Sequence, residues 1–124
     1  MDKKRVIRHL MEYLAEELDS KSPEEKKEIE SLLTMYRFLP TREYGNEDVV
    51  IPSALVTLKT GSITAHYFIV PRGGGLITEI EGEPLQVITP NSPLGEALLG
   101  KKQGQKFGVE IRGALREYEI VSVV

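Results

Sequence analysis

The chain has no cysteine and no tryptophan, two histidines, and only 6% aromatic residues in 124. Without cysteine there is no disulfide framework, no thiolate metal site and no cysteine nucleophile. The two histidines, His9 and His66, are far apart in sequence, and neither belongs to a metal-ligand spacing such as H-E-x-x-H. The expected reading of each is a surface or packed histidine. There is no G-x-S-x-G, no P-loop and no dinucleotide fingerprint. Gly73-Gly74-Gly75 leads into Leu76-Ile77-Thr78, an extended stretch, so it reads as a loop and not as a phosphate cradle. No enzyme constellation, metal site or cofactor is expected, and no small-molecule substrate.

Long apolar runs are also missing. The longest is a few residues, far short of a membrane span. No basic-then-apolar leader follows Met1, and Lys3, Lys4 and Arg5 run into a Glu-rich helix. The expectation is a cytoplasmic protein without membrane contact. A basic excess is absent too. The net charge is −3. Residues 1–48 hold nine Lys/Arg and twelve Asp/Glu, whereas residues 49–124 hold seven of each. Tight direct DNA binding needs a cationic surface, so a protein partner is expected instead.

What is present is patterning. Ile7, Leu10, Met11, Leu14 and Leu18 recur at three and four residues and predict a helix over 3–18. Asp19-Ser20-Lys21-Ser22 interrupts it. A second helix has its start written in: Ser22 as cap, Pro23 at the first helical position and Glu25 completing a capping box. Ile29, Leu32, Leu33 and Tyr36 form its apolar side, and Pro40 ends it. Two such helices joined by a short turn predict an antiparallel hairpin spanning about 22 Å at 1.5 Å per residue. Tyr36, Phe38 and Leu39 either pack the hairpin against the following domain or form an apolar patch. Residues 41–48 read as a linker.

The period then changes to two. Ala54 to Lys59 and Ile63 to Val70 flank Thr60-Gly61-Ser62, a hairpin signal. Leu85 to Thr89, Lys106 to Ile111 and Leu115 to Val123 are further strands, the last two joined at Arg112-Gly113-Ala114. About five strands and one short helix predict an antiparallel α+β domain over residues 49–124. Its expected core is Val56, Leu58, Tyr67, Ile69, Val87, Leu94, Leu98, Leu99, Val109, Ile111, Tyr118 and Ile120.

The short helix is the most informative segment. Ser92 can cap it and Pro93 suits its first position. Leu94, Leu98 and Leu99 share one side. Gly100 can end it, with Lys101 and Lys102 near its negative end.

This segment, Ser92-Pro93-Leu94 through Leu98-Leu99-Gly100-Lys101, resembles the signature of the C-terminal domain of the bacterial Gre transcript cleavage factors and their relatives. The resemblance also takes in Val56-Thr57-Leu58, Tyr67 to Val70, Val87-Ile88-Thr89, Val109-Glu110-Ile111 and Tyr118-Glu119-Ile120. It implies an FKBP-like domain preceded by a helical hairpin, closest in layout to the Rnk-like members. It also implies a DNA-directed RNA polymerase partner. In the family the loop around the Ser-Pro motif docks on the β′ coiled coil at the secondary channel, and the matching positions are Asn91, Ser92 and Pro93.

The family's cleavage factors also carry an acidic signature at the tip of a long coiled coil, which holds Mg²⁺. That signature is missing here, and the hairpin is much shorter. The nearest acids are Glu16, Glu17 and Asp19 at the end of the first helix and Glu24 and Glu25 at the start of the second. Glu24 and Glu25 have a local reason to be there, because carboxylates suit a helix N-terminus. The leading expectation is a polymerase-binding regulator without transcript cleavage. One alternative is a cleavage-stimulating factor using these acids. Another is an FKBP-like prolyl isomerase or interaction module, although few aromatics are available for its pocket.

Overall fold

In the computed structural model, which describes Met1–Val124, the chain forms two compact units, Met1–Thr41 and Arg42–Val124.

The first unit is helical. Helix α1 spans Lys3–Glu17 and opens on Asp2, whose carboxylate accepts from the Lys4 N–H at 3.0 Å. A single 3-10 turn, Leu18–Ser20, closes it. Helix α2 spans Pro23–Arg37 and carries the predicted capping box. The Ser22 hydroxyl accepts from the Glu25 N–H at 3.3 Å, and the Glu25 carboxylate accepts from the Ser22 N–H at 3.4 Å. The helices pack on each other. The buried line runs through Lys3, Val6 and Leu10 on α1 and Ile29 and Tyr36 on α2. The predicted Ile7, Met11, Leu14 and Leu18 flank that line, half-buried. Phe38 lies just past α2 and is 76% exposed.

The second unit is a six-stranded sheet: β1 Leu55–Thr60, β2 Ile63–Ile69, β3 Ile77–Ile80, β4 Glu83–Ile88, β5 Lys106–Ile111 and β6 Ala114–Val123. The spatial order is β3-β4-β2-β1-β6-β5. All neighbours run antiparallel except β2 and β4, which are parallel, with His66 opposite Leu85 and Ile69 opposite Ile88.

Two features refine the sequence reading. The stretch at Ile77 is a full edge strand, so there are six strands; four residues without clear alternation give too little signal to read it as one. The parallel pair arises because β3 is inserted, through the Gly73–Gly75 loop, between β2 and β4 in sequence but outside β4 in space.

One face of the sheet builds the main core. Val56, Leu58, Ile69, Ile88, Tyr118 and Ile120 meet Leu94 and Leu98 from the short helix α3, Pro93–Leu98. Leu99, Tyr67, Val109 and Ile111 share this face but are only half-buried, contrary to the core reading. The reason for the last three is position: Val109 and Ile111 lie on the edge strand β5, and Tyr67 lines an open hollow. The other face carries Leu55, Phe68, Leu85 and Val87, all buried.

The segment before β1 is tied down locally. Asp48 accepts from the Gly45 N–H at 2.7 Å and pairs with Arg42 at 3.1 Å. Val50 exchanges backbone bonds with the end of α3, donating to Lys101 at 2.7 Å and accepting from Gly100 at 3.0 Å.

Candidate functional site

The turn from β4 into α3 is a closed hydrogen-bond knot. Ser92 Oγ accepts from the Gly95 N–H at 3.1 Å and donates to the Thr89 carbonyl at 2.7 Å. The Ser92 N–H donates to the same carbonyl at 3.1 Å. Thr89 Oγ1 donates to Asn91 Oδ1 at 2.6 Å. Pro93 stands at the first helical position, as its fixed φ and missing N–H dictate. Gly95 is required by closeness: a Cβ there would lie 2.0 Å from the Thr89 carbonyl oxygen. The helix ends as Gly100 predicts, with Leu98 its last residue and Leu99 its cap. Leu99 leaves the helix at ψ 132, and Gly100 follows in the left-handed region at φ +83.

Two of the three residues singled out at this turn, Ser92 and Pro93, form one wall of a hollow of about 260 Å³. The remaining wall and floor are Tyr67, Gln86, Ile88, Leu94, Ile111, Arg112, Arg116 and Tyr118. Asn91 is exposed on the turn beside it. The hollow combines an apolar, partly aromatic floor with few polar groups, which is the usual make-up of a recognition site. Burial pushes the Tyr67 phenol up, Tyr118 adds to this, and the Arg116 charge pulls against both.

Sequence reasoning missed Gln86, Ile88, Arg112 and Arg116 as site residues and took Tyr67, Leu94, Ile111 and Tyr118 for core alone. The available signal was register. Residues 116, 118, 67, 86 and 88 all alternate onto the same sheet face as the short helix. A larger hollow, about 580 Å³, lies over Lys59, Lys106, Glu117 and Glu119. Its two lysines and two glutamates balance in charge, and in strand register Lys59 and Lys106 both stand opposite Glu119. It therefore presents no unbalanced chemistry to a ligand.

The family model of the transcription elongation factor GreA/GreB C-terminal domain matches residues 46–124. The chain belongs to the GreA/GreB family. No curated protein matches it in sequence. Among solved structures, the chain is similar to the transcription factor Gfh1 at 19% identity and TM-score 0.52, covering 98% of this chain and 85% of that one. It is likewise similar to GreA factor homolog 1 of Thermus thermophilus, at 19% identity, TM-score 0.51 and coverage of 98% and 87%. For Gfh1 of Thermus aquaticus the figures are 18%, 0.52, 98% and 86%. At these identities the likeness is one of fold, α+β with N-terminal helices and a six-stranded sheet. The FKBP-like layout expected from the resemblance agrees with it.

In this Gre-family chain the hairpin acids do not converge. Glu17 pairs with Lys21 at 3.3 Å, along one turn of chain. The Glu25 carboxylate accepts from the Ser22 hydroxyl at 2.8 Å. That side-chain bond, then the Ser22 backbone bond, holds Glu25 below the usual carboxylate range. Glu16, Asp19 and Glu24 are exposed. No group of three or more His, Cys, Asp or Glu side chains is placed to hold a metal ion.

His66 is buried on β2. Its Nδ1 lies 2.8 Å from Thr57 Oγ1 and its Nε2 lies 3.4 Å from Glu83 Oε1. Both ring nitrogens are thus satisfied across three adjacent strands, which makes it the packed histidine of the two readings. No helix of the chain is long and apolar enough to cross a membrane.

Proposed function

We propose that this protein is a Gre-family regulator that binds RNA polymerase through the turn at Asn91, Ser92 and Pro93. Its docking surface is the rim of the secondary channel, the β′ coiled coil. The short helical hairpin of residues 1–40 is carried to the channel by residues 49–124 and obstructs it, or competes there with cleavage factors. It does not drive transcript cleavage itself.

One observation supports the reading above the others. The Ser-Pro turn is locked by its own hydrogen bonds and forms a wall of an open, mostly apolar hollow inside the family-matched domain. A rigid turn loses little entropy on binding, so its exposed atoms can contribute to affinity directly. The acids at 16, 17, 19, 24 and 25 are spread over solvated helix ends and local partners, which argues against a Mg²⁺-holding tip.

The test is capture of purified bacterial core RNA polymerase by the tagged protein, with a Ser92→Glu/Pro93→Ala variant beside it. Binding by the wild type and its loss in the variant is expected. No capture at micromolar concentration refutes the reading. Adding the protein to backtracked complexes tests the second clause: release of short 3′ RNA fragments would show that the hairpin acids do act.

A further inference from the structure

The sheet ends on β3 at one side and on β5 at the other. An edge strand presents unpaired N–H and C=O groups to any strand that can match it. The two edges differ. β3 is four residues long. β5 is six, with no proline and an unbroken register against β6. Its outward groups follow from the ladder. The turn Arg112-Gly113, at φ +53 and +79, closes on Ile111 and Ala114, so these two exchange both of their backbone bonds. The alternation carries the same bonding to Val109 and Phe107. Gln105, in phase with them, accepts from the Ile120 N–H at 2.9 Å. The N–H and C=O of Lys106, Gly108 and Glu110 therefore point away from β6. The same residues are exposed, and no ion pair within the chain engages Lys106 or Glu110.

We propose that β5 pairs antiparallel with β5 of a second copy of this chain, about a two-fold axis through Gly108. The strand is complementary to itself in that register. Lys106 stands opposite Glu110 of the second copy, and Glu110 opposite its Lys106, so each cross-strand charge pair is attractive. These residues and Gly108 are the ones whose backbone groups point outward, and each facing pair exchanges two hydrogen bonds. Phe107, half-buried on the other face, meets Val109 of the second copy at the closer, non-bonded positions. Gly108 puts no side chain at the axis. A Cβ built on it would lie 3.3 Å from Leu115 Cδ1, so Leu115, 71% exposed, covers the glycine, and its twin covers the facing one.

Other registers are worse. A slip of two residues in one direction sets Lys106 opposite Arg112, and slips of four set Lys106 opposite Lys106 or Glu110 opposite Glu110. The charges thus select one alignment of an edge that backbone bonding alone would leave free to slide. A second copy fits better than an unrelated strand because both charge pairs are met by the same six residues, as an isologous interface requires. Two strands of this length bury less than the roughly 1,200 Å² of a standard interface. The dimer is accordingly weak, with a dissociation constant on the order of 0.1 mM.

The experiment is sedimentation equilibrium of the full chain between about 10 μM and about 1 mM, with amide hydrogen exchange at both ends of that range. Reversible dimerisation is expected. At the higher concentration the amides of Lys106, Gly108 and Glu110 should exchange about threefold to fivefold more slowly, while those of Phe107 and Val109, already bonded to β6, should not change. Lys106→Glu alone, or Glu110→Lys alone, places like charges at both pairs and should weaken the dimer about tenfold. The double exchange Lys106→Glu/Glu110→Lys restores both attractions and should return to within about threefold of wild type. A mixture of the two single variants should dimerise as wild type does, which a folding defect in either would prevent. A chain that stays monomeric throughout, a dimer indifferent to the single reversals, or a double exchange as weak as the singles would each overturn the proposal. So would protection of the β5 amides that appears only when another polypeptide is added.

Discussion

Replacing Gly95 with alanine sets two ordinary expectations against each other. In a helix, alanine is favoured over glycine by about 1 kcal/mol. Gly95 lies within α3, and its φ is outside the left-handed region, so the backbone itself would accept alanine. Propensity alone therefore predicts a more stable protein. The surroundings predict the opposite. The new methyl would sit 2.0 Å from the Thr89 carbonyl oxygen, 2.8 Å from Ser92 Oγ and 3.0 Å from the Thr89 carbonyl carbon. Two of these atoms are backbone and cannot rotate away.

Relief requires the turn to open, and Thr89 O is the acceptor for both the Ser92 hydroxyl and the Ser92 N–H. Forced repacking of this kind costs about 1–3 kcal/mol, and a disrupted serine cap about 1 kcal/mol more. Against the propensity gain, the net destabilisation is about 1–3 kcal/mol. Urea unfolding of the full chain gives the answer, with a melting temperature lower by several degrees as the coarse readout. A G95A protein as stable as the wild type, or more so, would refute the claim that the knot is sterically closed. Partner capture should fall with it, because the displaced residues are Ser92 and Pro93.

Other consequences follow from single groups. Ser22→Ala removes the hydroxyl that bonds the Glu25 carboxylate, so the Glu25 pKa should rise toward its ordinary value in a carboxyl ¹³C titration; an unchanged value would show that the capping box does not set it. Burial pushes the Tyr36 phenol up to about 12. Its ordinary value is near 10, so the folded pKa is the higher one. Its contribution to stability is whole below about pH 10 and is lost as pH rises toward about 12, by up to about 3 kcal/mol. Tyr36→Phe should flatten the stability profile over that window and leave the profile below it unchanged, as read by urea midpoints at each pH.

The sequence announces its helix starts and hides its sheet order. Ser22-Pro23-x-Glu25 and Ser92-Pro93 are chemical statements made within four residues, and both caps form as written. Strand pairing depends on contacts distant in sequence. Nothing local in Leu85 to Ile88 says that it lies parallel to β2, or that Ile77–Ile80 closes the sheet beyond it. The site divides along the same line. Ser92 and Pro93 were legible because a cap is local. Arg112 and Arg116 were not, because a turn and an exposed strand position look alike wherever they occur. Tyr67 and Tyr118 reached the hollow through alternation that is equally consistent with core. Gly95 shows the limit most plainly: as one glycine in a six-residue helix it carries no signal until the Thr89 carbonyl is placed beside it.

The closed turn and the open hollow belong to one physical argument. A recognition surface beside a mobile loop would have to order that loop on each encounter, at about 1–2 kcal/mol per residue fixed. Here Thr89, Ser92 and Gly95 order it in advance, using hydrogen bonds that folding must satisfy in any case. The same bonds leave Leu94 and Leu98 buried in the core, so the turn cannot shift without disturbing the sheet beneath it. The arginines sit on the opposite margin, on a strand and a two-residue turn whose register is fixed by pairing from Lys106–Glu119 to Ile111–Ala114. Both margins are therefore held by structure outside the hollow, which keeps a preset spacing between its apolar floor and its positive edge. Loosening either margin should weaken binding without removing a single contacting atom, which separates pre-organisation from contact in any set of variants.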